Sequence, residues 1–404
     1  MIYYRRNLLI LSFTIFLAAF SWEQIAPYLP LFLKELGITR DLPFWSGLLF
    51  TLQFLASSLM GPVWGKMADK YGRKPMVMRA GLCLSAVYFG MSFCQNYGQL
   101  LFLRIMNGML TGFIPGSIAL IATNTPKNDS GRFVSIAYTA QSVGVILGPA
   151  LGGLLAAMAG YRGSMLLSGS LVLFAFFLVT LLVEEREKPQ ISVKTSIVQD
   201  IQRSFTMPVM VTVMSVEFVN ALVMSALLPI LALYLHSIAP HAGKIVSGFI
   251  YSLPGMALFL TAYSWSRIGE KISYTRTILI GLVGVGCIGI LLGLVVNLWI
   301  FGALYFIYGT FVAAVSPSSA ALVATRVEAE FRGRAYAMQQ TARTVGLFVA
   351  PVVSGLIGNY IGLKWIFIVF GAAVLLLTVG VRAQIRSWET APGGLDPLKP
   401  ENVV

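Results

Sequence analysis

Apolar runs long enough to cross a lipid bilayer recur from one end of this chain to the other. A hydrocarbon core ~30 Å thick takes about 20 helical residues, and a first such run opens with "LLILSFTIFLAAF" at residues 8–20. Twelve runs are read, approximately over 7–33, 45–66, 76–95, 99–124, 134–159, 163–183, 208–235, 245–265, 276–297, 299–325, 335–360 and 362–383. With 57% of its 404 residues hydrophobic and a mean hydropathy of +0.79, the chain lies outside the range of soluble domains. The expected class is an all-α polytopic membrane protein of 12 transmembrane helices. The basic start "MIYYRRN" does not make the first run a signal peptide, because the run is too long and lacks a small-residue cleavage site. Cys83, Cys94 and Cys287 all fall within apolar runs and are expected to be small core residues rather than a disulfide framework.

Charge placement orients the spans. With twelve crossings, 22 of the 29 Lys and Arg fall on the side of both termini, from Arg5 and Arg6 to Arg382, Arg386 and Lys399. Five, Lys34, Arg40, Arg162, Lys244 and Lys364, fall on the other. Both termini are therefore expected in the cytoplasm. This asymmetry accounts for the net charge of +13 as topology, so nucleic acid is not an expected partner. His236 and His241 share an outer loop and are too few for a metal cage. No P-loop, H-E-x-x-H or paired-cysteine motif is present, so no metal, cofactor or enzymatic activity is expected.

A polar stretch, "EEREKPQISVKTSIVQDIQRSFTM" (184–207), divides the spans six and six. The halves repeat at an offset of 202 residues: "TAQSVGVILGP" (139–149) returns as "TARTVGLFVAP" (341–351), and "ALIAT" (119–123) as "ALVAT" (321–325). The expected organisation is two pseudo-symmetric six-helix bundles, 1–183 and 208–383, a cytoplasmic linker at 184–207 and a cytoplasmic tail at 384–404 whose stretch "WETAPGGLDPLKPENVV" (388–404) is expected to be disordered. Parallel repeats of six spans belong to transporters that bind substrate between their halves.

"GKMADKYGRKP" (65–75), between spans 2 and 3, resembles the G-x-x-x-D-x-x-G-R-K signature of the major facilitator superfamily through Gly65, Asp69, Gly72, Arg73 and Lys74. A degraded copy, "SRIGEKISYTRT" (266–277), occupies the equivalent loop of the second half, with Ser266, Glu270 and Ser273 at the matching places. The resemblance implies a latch: Asp69 would face the start of span 11 near "FRGRAYA" (331–337), and Glu270 the start of span 5 near "SGRFVS" (130–135), when the cavity opens outward. A carboxylate is favoured at a helix N-terminus by the dipole.

Four ionisable residues remain inside the spans, Glu23, Arg104, Glu217 and Arg343. Buried charge at such depth usually faces a cavity or a partner. Helical rise puts Glu23 roughly 24 Å and Arg104 roughly 22 Å from the terminal side, and Glu217 and Arg343 at ~14 and ~12 Å. Two ion pairs are expected, Glu23 with Arg104 and Glu217 with Arg343. "LRIMNG" (103–108) resembles the R-x-x-x-G element of span 4 in the drug:proton antiporter family through Arg104 and Gly108. "GVILGPALGG" (144–153) resembles the antiporter element of span 5 through Gly144, Gly148, Pro149, Gly152 and Gly153. In the second half Gly148 becomes Ala350 and Gly152 becomes Ser354, so the close-packed seam is expected in the first half alone.

The resemblance, which covers essentially the whole chain, implies a monomeric secondary transporter of the bacterial inner membrane. It would export hydrophobic or cationic small molecules in exchange for protons by alternating access, with the four buried charges coupling proton movement and the proton gradient as energy source. Trp22, Gln24, Tyr28, Tyr138, Gln141, Asn220, Met224 and Phe249 are candidate cavity residues. The alternative is a dedicated exporter or importer of a metabolite such as a siderophore or a lipid.

Overall fold

The computed structural model describes residues 3–186 and 197–389. The interior of the expected linker, with Lys188 and Lys194, and the tail from 390 onward with Lys399 lie outside the described residues. Helices make up the fold, and no strand occurs among the described residues. The first half comprises α1 (Tyr3–Ile25), α2 (Leu29–Glu35), α3 (Leu42–Tyr71), α4 (Arg73–Ser92), α5 (Tyr97–Met109), α6 (Phe113–Thr123) and α7 (Lys127–Leu182). After α8 (Ile197–Thr206) come α9 (Pro208–Ala226), α10 (Leu231–Ile238), α11 (Lys244–Ile272), α12 (Tyr274–Leu294), α13 (Leu298–Arg326), α14 (Ala329–Tyr360) and α15 (Leu363–Glu389).

Ten helical stretches are long and apolar enough to cross a membrane. One of them, Asp129–Leu182, has 54 residues, roughly 80 Å of helix and far more than one crossing needs. It turns at Gly160, whose φ of 68° and ψ of 178° separate two crossings. The 20-residue α4, which starts on Arg73 and Lys74, brings the total to the twelve expected.

Several crossings are broken, and at two of the breaks side chains bond to nearby backbone groups, as a segment without water favours. Pro27 interrupts the first crossing between α1 and α2. Gly112, with a φ of 123°, interrupts the fourth between α5 and α6. Beside that break, Trp64 Nε1 donates to the Met109 carbonyl (2.6 Å) and Arg79 to that of Thr111 (3.2 Å). Pro229 lies in the gap between α9 and α10, where the Ala232 N–H donates to the Tyr251 hydroxyl at 2.9 Å. Helix starts repeat between halves as well: Asn96 caps α5, and Asn297, 201 residues on, caps α13.

Two hydrophobic cores result, one spanning Leu8 to Val183 with Leu233 added, the other Met210 to Ile385. The halves meet along two seams, α3 with α14 and α7 with α11. At the end away from the termini the seams are closed backbone to backbone. A Cβ built on Gly47 would meet the Pro351 carbonyl and lie 3.2 Å from the Gly355 Cα; one on Gly248 would meet the Pro149 carbonyl and lie 3.1 Å from the Gly153 Cα. Thr51 Oγ1 donates to the Phe348 carbonyl (3.0 Å), Asn359 Nδ2 to Asp41 (2.9 Å) and Lys244 Nζ to the Ala156 carbonyl (3.0 Å). The same helix faces separate toward the other end. Among the described residues, Gly61, Gly65, Gly131 and Gly333 have nothing within 4 Å of a built Cβ, and Leu59, Tyr138, Tyr263 and Tyr336 are exposed. The cavity therefore opens at the end that carries both termini.

The expectation of a seam in the first half alone is corrected. Gly144, Gly148 and Gly152 face α1 of their own half, against Phe16, Glu23 and Gln24. Pro149 and Gly153 make the contact between halves, and Pro351 and Gly355 repeat it 202 residues on. Gly248→Val is expected to prevent closure of the far end and reduce transport to background. Because each half keeps its own core, the loss of unfolding free energy in detergent is expected to stay within the roughly 1–3 kcal/mol of an overpacked contact.

Candidate transport site and its gates

Glu23 is half-buried near the end of α1, on the side of that helix that Gly148 leaves free; a Cβ at position 148 would lie 2.5 Å from the Glu23 Cβ. The carboxylate lies within Coulombic reach of the Tyr251 and Tyr305 hydroxyls, on α11 and α13 of the opposite half. Tyr305 stacks on Tyr308 with ring centroids 5.8 Å apart. One acid of the first half thus lies within electrostatic reach of Tyr251 and Tyr305 of the second and of Tyr88 of its own half, near the level where the seams part.

Arg104 does not form the expected ion pair with Glu23. It is fully buried, and its guanidinium lies over the Trp22 ring (4.8 Å to the centroid) and the Phe50 ring (5.1 Å). Among the described residues, Arg104 Nε and one terminal nitrogen have no hydrogen-bond partner. Gln53 Nε2 donates to Asn107 Oδ1 (2.8 Å) on the neighbouring helical turn, and the Tyr88 hydroxyl lies within Coulombic reach of both Arg104 and Glu23. A planar, weakly hydrated cation is suited to such stacking in a way that an ammonium is not. Gly108, one turn on from Arg104, meets the Gln53 carbonyl and allows α5 to approach α3.

The second expected pair is also open. Glu217 is 2% exposed, and Gln339 Nε2 donates to it and to Ser319 Oγ, each at 3.1 Å. Arg343 is exposed and acts on Glu217 only through space. Among the candidate cavity residues, Gln24 is buried inside the first half, donating to the Ser164 carbonyl (3.0 Å) and to Ser168. Tyr28 belongs to the closed seam, its hydroxyl donating to the carbonyls of Pro149 (3.2 Å) and Lys244 (3.3 Å). Asn220 is turned to Ser316 at 2.8 Å. Trp22, Gln141 and Met224 are half-buried, and Tyr138 and Phe249 exposed. Tyr251, Tyr305, Tyr308, Tyr88 and Gln339 escaped the sequence reading, because a polar aromatic or amide within an apolar span carries no periodic signal.

The latch contacts are not made in this structure. Asp69 is exposed, and its ion pair among the described residues is with Arg73, one turn on, at 3.8 Å. Glu270 is exposed at the end of α11. The loop is instead tied to its own half: Glu185 accepts from the backbone N–H groups of Arg73 (2.8 Å) and Lys74 (2.9 Å), placing a carboxylate on the N-terminus of α4. Gly72, at a φ of 100°, leaves the room, since a Cβ there would lie 2.9 Å from Glu185 Oε2. Next to it Glu184 binds Arg186 (2.6 Å) and Arg6, and its backbone pairs with the Asn7 side chain. Arg186, and then Arg6, hold the Glu184 carboxyl below its usual range. A depressed carboxyl contributes stability above its unfolded pKa and loses it as the pH falls through the folded value, so this clasp is intact at neutral pH and opens only in acid.

An all-helical membrane protein of two repeated halves, with a cavity between them open at one end, has the architecture of a transporter and not of an enzyme. The family description "Major Facilitator Superfamily" matches residues 11–239 and again 213–397, and the chain belongs to that family. Among its relatives is the multidrug resistance protein MdtG of Escherichia fergusonii, 31% identical over 381 residues, covering 92% of each chain. That of Proteus mirabilis is 32% identical over 392 residues, covering 95% of this chain and 96% of its own. In fold the chain is similar to a bacterial homologue of the human lysosomal transporter Spinster, solved inward-facing and occupied (TM-score 0.81, 13% identity, 96% and 97% of the two chains). It is also similar to the nucleoside transporter NupG (TM-score 0.78, 12% identity, 96% and 100% of the two chains).

Where Gly72 turns the first-half loop, the second half has Ser273 at a φ of 94°, a region that side chains avoid. Such strain costs on the order of 1–3 kcal/mol, part of it returned as backbone entropy when glycine replaces it. Ser273→Gly is expected to stabilise the protein by about 1 kcal/mol in equilibrium unfolding; a neutral or negative change would contradict the strain.

Proposed function

We propose that this protein is a proton-driven exporter of lipophilic cations in the cytoplasmic membrane, with both termini in the cytoplasm and the cavity open to that side. The observation that carries the reading is Glu23, a lone acid packed beside Gly148 near the parting of the seams, within electrostatic reach of Tyr251 and Tyr305 of the other half. A carboxylate at this depth is costly without a partner. A proton and an organic cation each cancel the same charge, so they compete for it, and a cation gains further from the faces of aromatic rings. Export follows if the cation is taken while the cavity is open inward and displaced by a proton once it opens outward.

In the outward-open state Asp69 would reach the start of α14 and Glu270 the start of α7, holding the cytoplasmic end closed. Arg104, stacked and partly unpartnered one layer away, keeps the site positive when Glu23 is protonated, which disfavours retention of the cation. The names of the MdtG relatives support multidrug efflux, and the apolar, aromatic surroundings of Glu23 favour ligands without a fixed pattern of hydrogen bonds.

Purified protein in liposomes with an imposed pH gradient tests the reading. Several lipophilic cations are expected to move against proton flow, and Glu23→Gln is expected to abolish gradient-driven movement while leaving thermal unfolding unchanged. Movement of an anion alone, or of substrate and protons together, would contradict it. Unchanged gradient-driven transport by Glu23→Gln would remove that residue from the mechanism.

A further inference from the structure

A groove of ≈ 1080 Å³ opens on the flank of the second half between α12, α13 and α15, and none of the four helices that form the seams lines it. Its two ends differ in chemistry. Val283, Cys287 and Phe311 wall the deep part; Cys287, expected to be a core residue, is exposed there. Arg276, in the first turn of α12, and Arg382 and Arg386, in the last turns of α15, stand at the end that carries the termini. All three are exposed. Among the described residues, none of those that line it is Asp or Glu. From Thr275 to Ile288 the wall of α12 runs roughly 20 Å, about one leaflet with its headgroup layer.

Topology alone would require basic residues near this membrane surface, but not a cleft beneath them. Guanidinium groups match phosphate oxygens in a bidentate fork, and basic pockets between helices on the cytoplasmic side suit anionic lipid headgroups. An apolar wall of leaflet depth below a cluster of arginines fits a ligand with a phosphate at one end and a hydrocarbon chain at the other. We propose that the groove binds an anionic phospholipid from the leaflet at the terminal end, its phosphate among Arg276, Arg382 and Arg386 and an acyl chain along Val283 and Cys287. The lipid fills a cleft between α12 and α15, which lie outside the four seam helices, and this assignment is independent of the transported substrate and its direction.

Cys287 reports occupancy. With Cys83→Ser and Cys94→Ala in place, its reaction with a membrane-permeant maleimide is followed in nanodiscs of phosphatidylcholine with and without phosphatidylglycerol. Phosphatidylglycerol is expected to slow labelling several-fold. The affinity that underlies the effect is expected to fall about fivefold for each arginine removed, so that Arg276→Gln with Arg382→Gln loses the discrimination while Arg276→Lys with Arg382→Lys keeps most of it. Equal rates in the two lipids, or slowing that survives the double Gln variant, would overturn the proposal. Slowing by inorganic phosphate alone in phosphatidylcholine discs would assign the arginines to a free anion and overturn it equally.

Discussion

Two contacts between backbones hold the halves together: Gly47 on Pro351 and Gly355, and Gly248 on Pro149 and Gly153. Lipid gives helices no hydrophobic reason to associate, so close packing at small residues takes that role. Both contacts lie at the same end of the bundle. The faces that continue from them toward the termini part, which opens the cavity, separates Asp69 and Glu270 from the opposite half and leaves Glu23 within electrostatic reach of Tyr251 and Tyr305.

The scaffold is duplicated, whereas its charges are not. Gly47 and Gly248, Pro149 and Pro351, Gly153 and Gly355, and Asn96 and Asn297 all recur at or within one residue of the repeat offset. At 202 residues from Glu23 stands Ser225, from Arg104 Phe306, from Glu217 Ile15 and from Arg343 Gln141. Rocking two similar halves needs matched contact surfaces. Binding one cation or one proton needs a single acid, and a second copy would add a buried charge of several kcal/mol with no partner.

The spans, their division and the loop between spans 2 and 3 were legible because each leaves a signal in linear sequence. The ion pairs were not. Rise along a helix gives depth, but each residue also turns the chain about 100°, and depth alone does not say which neighbour a side chain meets. Trp22 and Phe50 reached Arg104 first, and Gln339 reached Glu217. The second seam was legible in principle, since Pro351 and Gly355 stand where the repeat puts them. The glycines lost at Ala350 and Ser354 concealed it, because those positions belong to a different face of the helix from the one that meets the other half.

The central claim is that closing one end of the two seams opens the other. Spin-label distances across both ends of the α3–α14 seam, recorded on the same protein in liposomes as pH and a lipophilic cation are varied, test it most directly. The account predicts that the distance at the terminal end shortens as the distance beside Gly47 and Gly355 lengthens, with the two populations changing in proportion. Distances that change together, or a far end that stays closed while the protein transports, would contradict it.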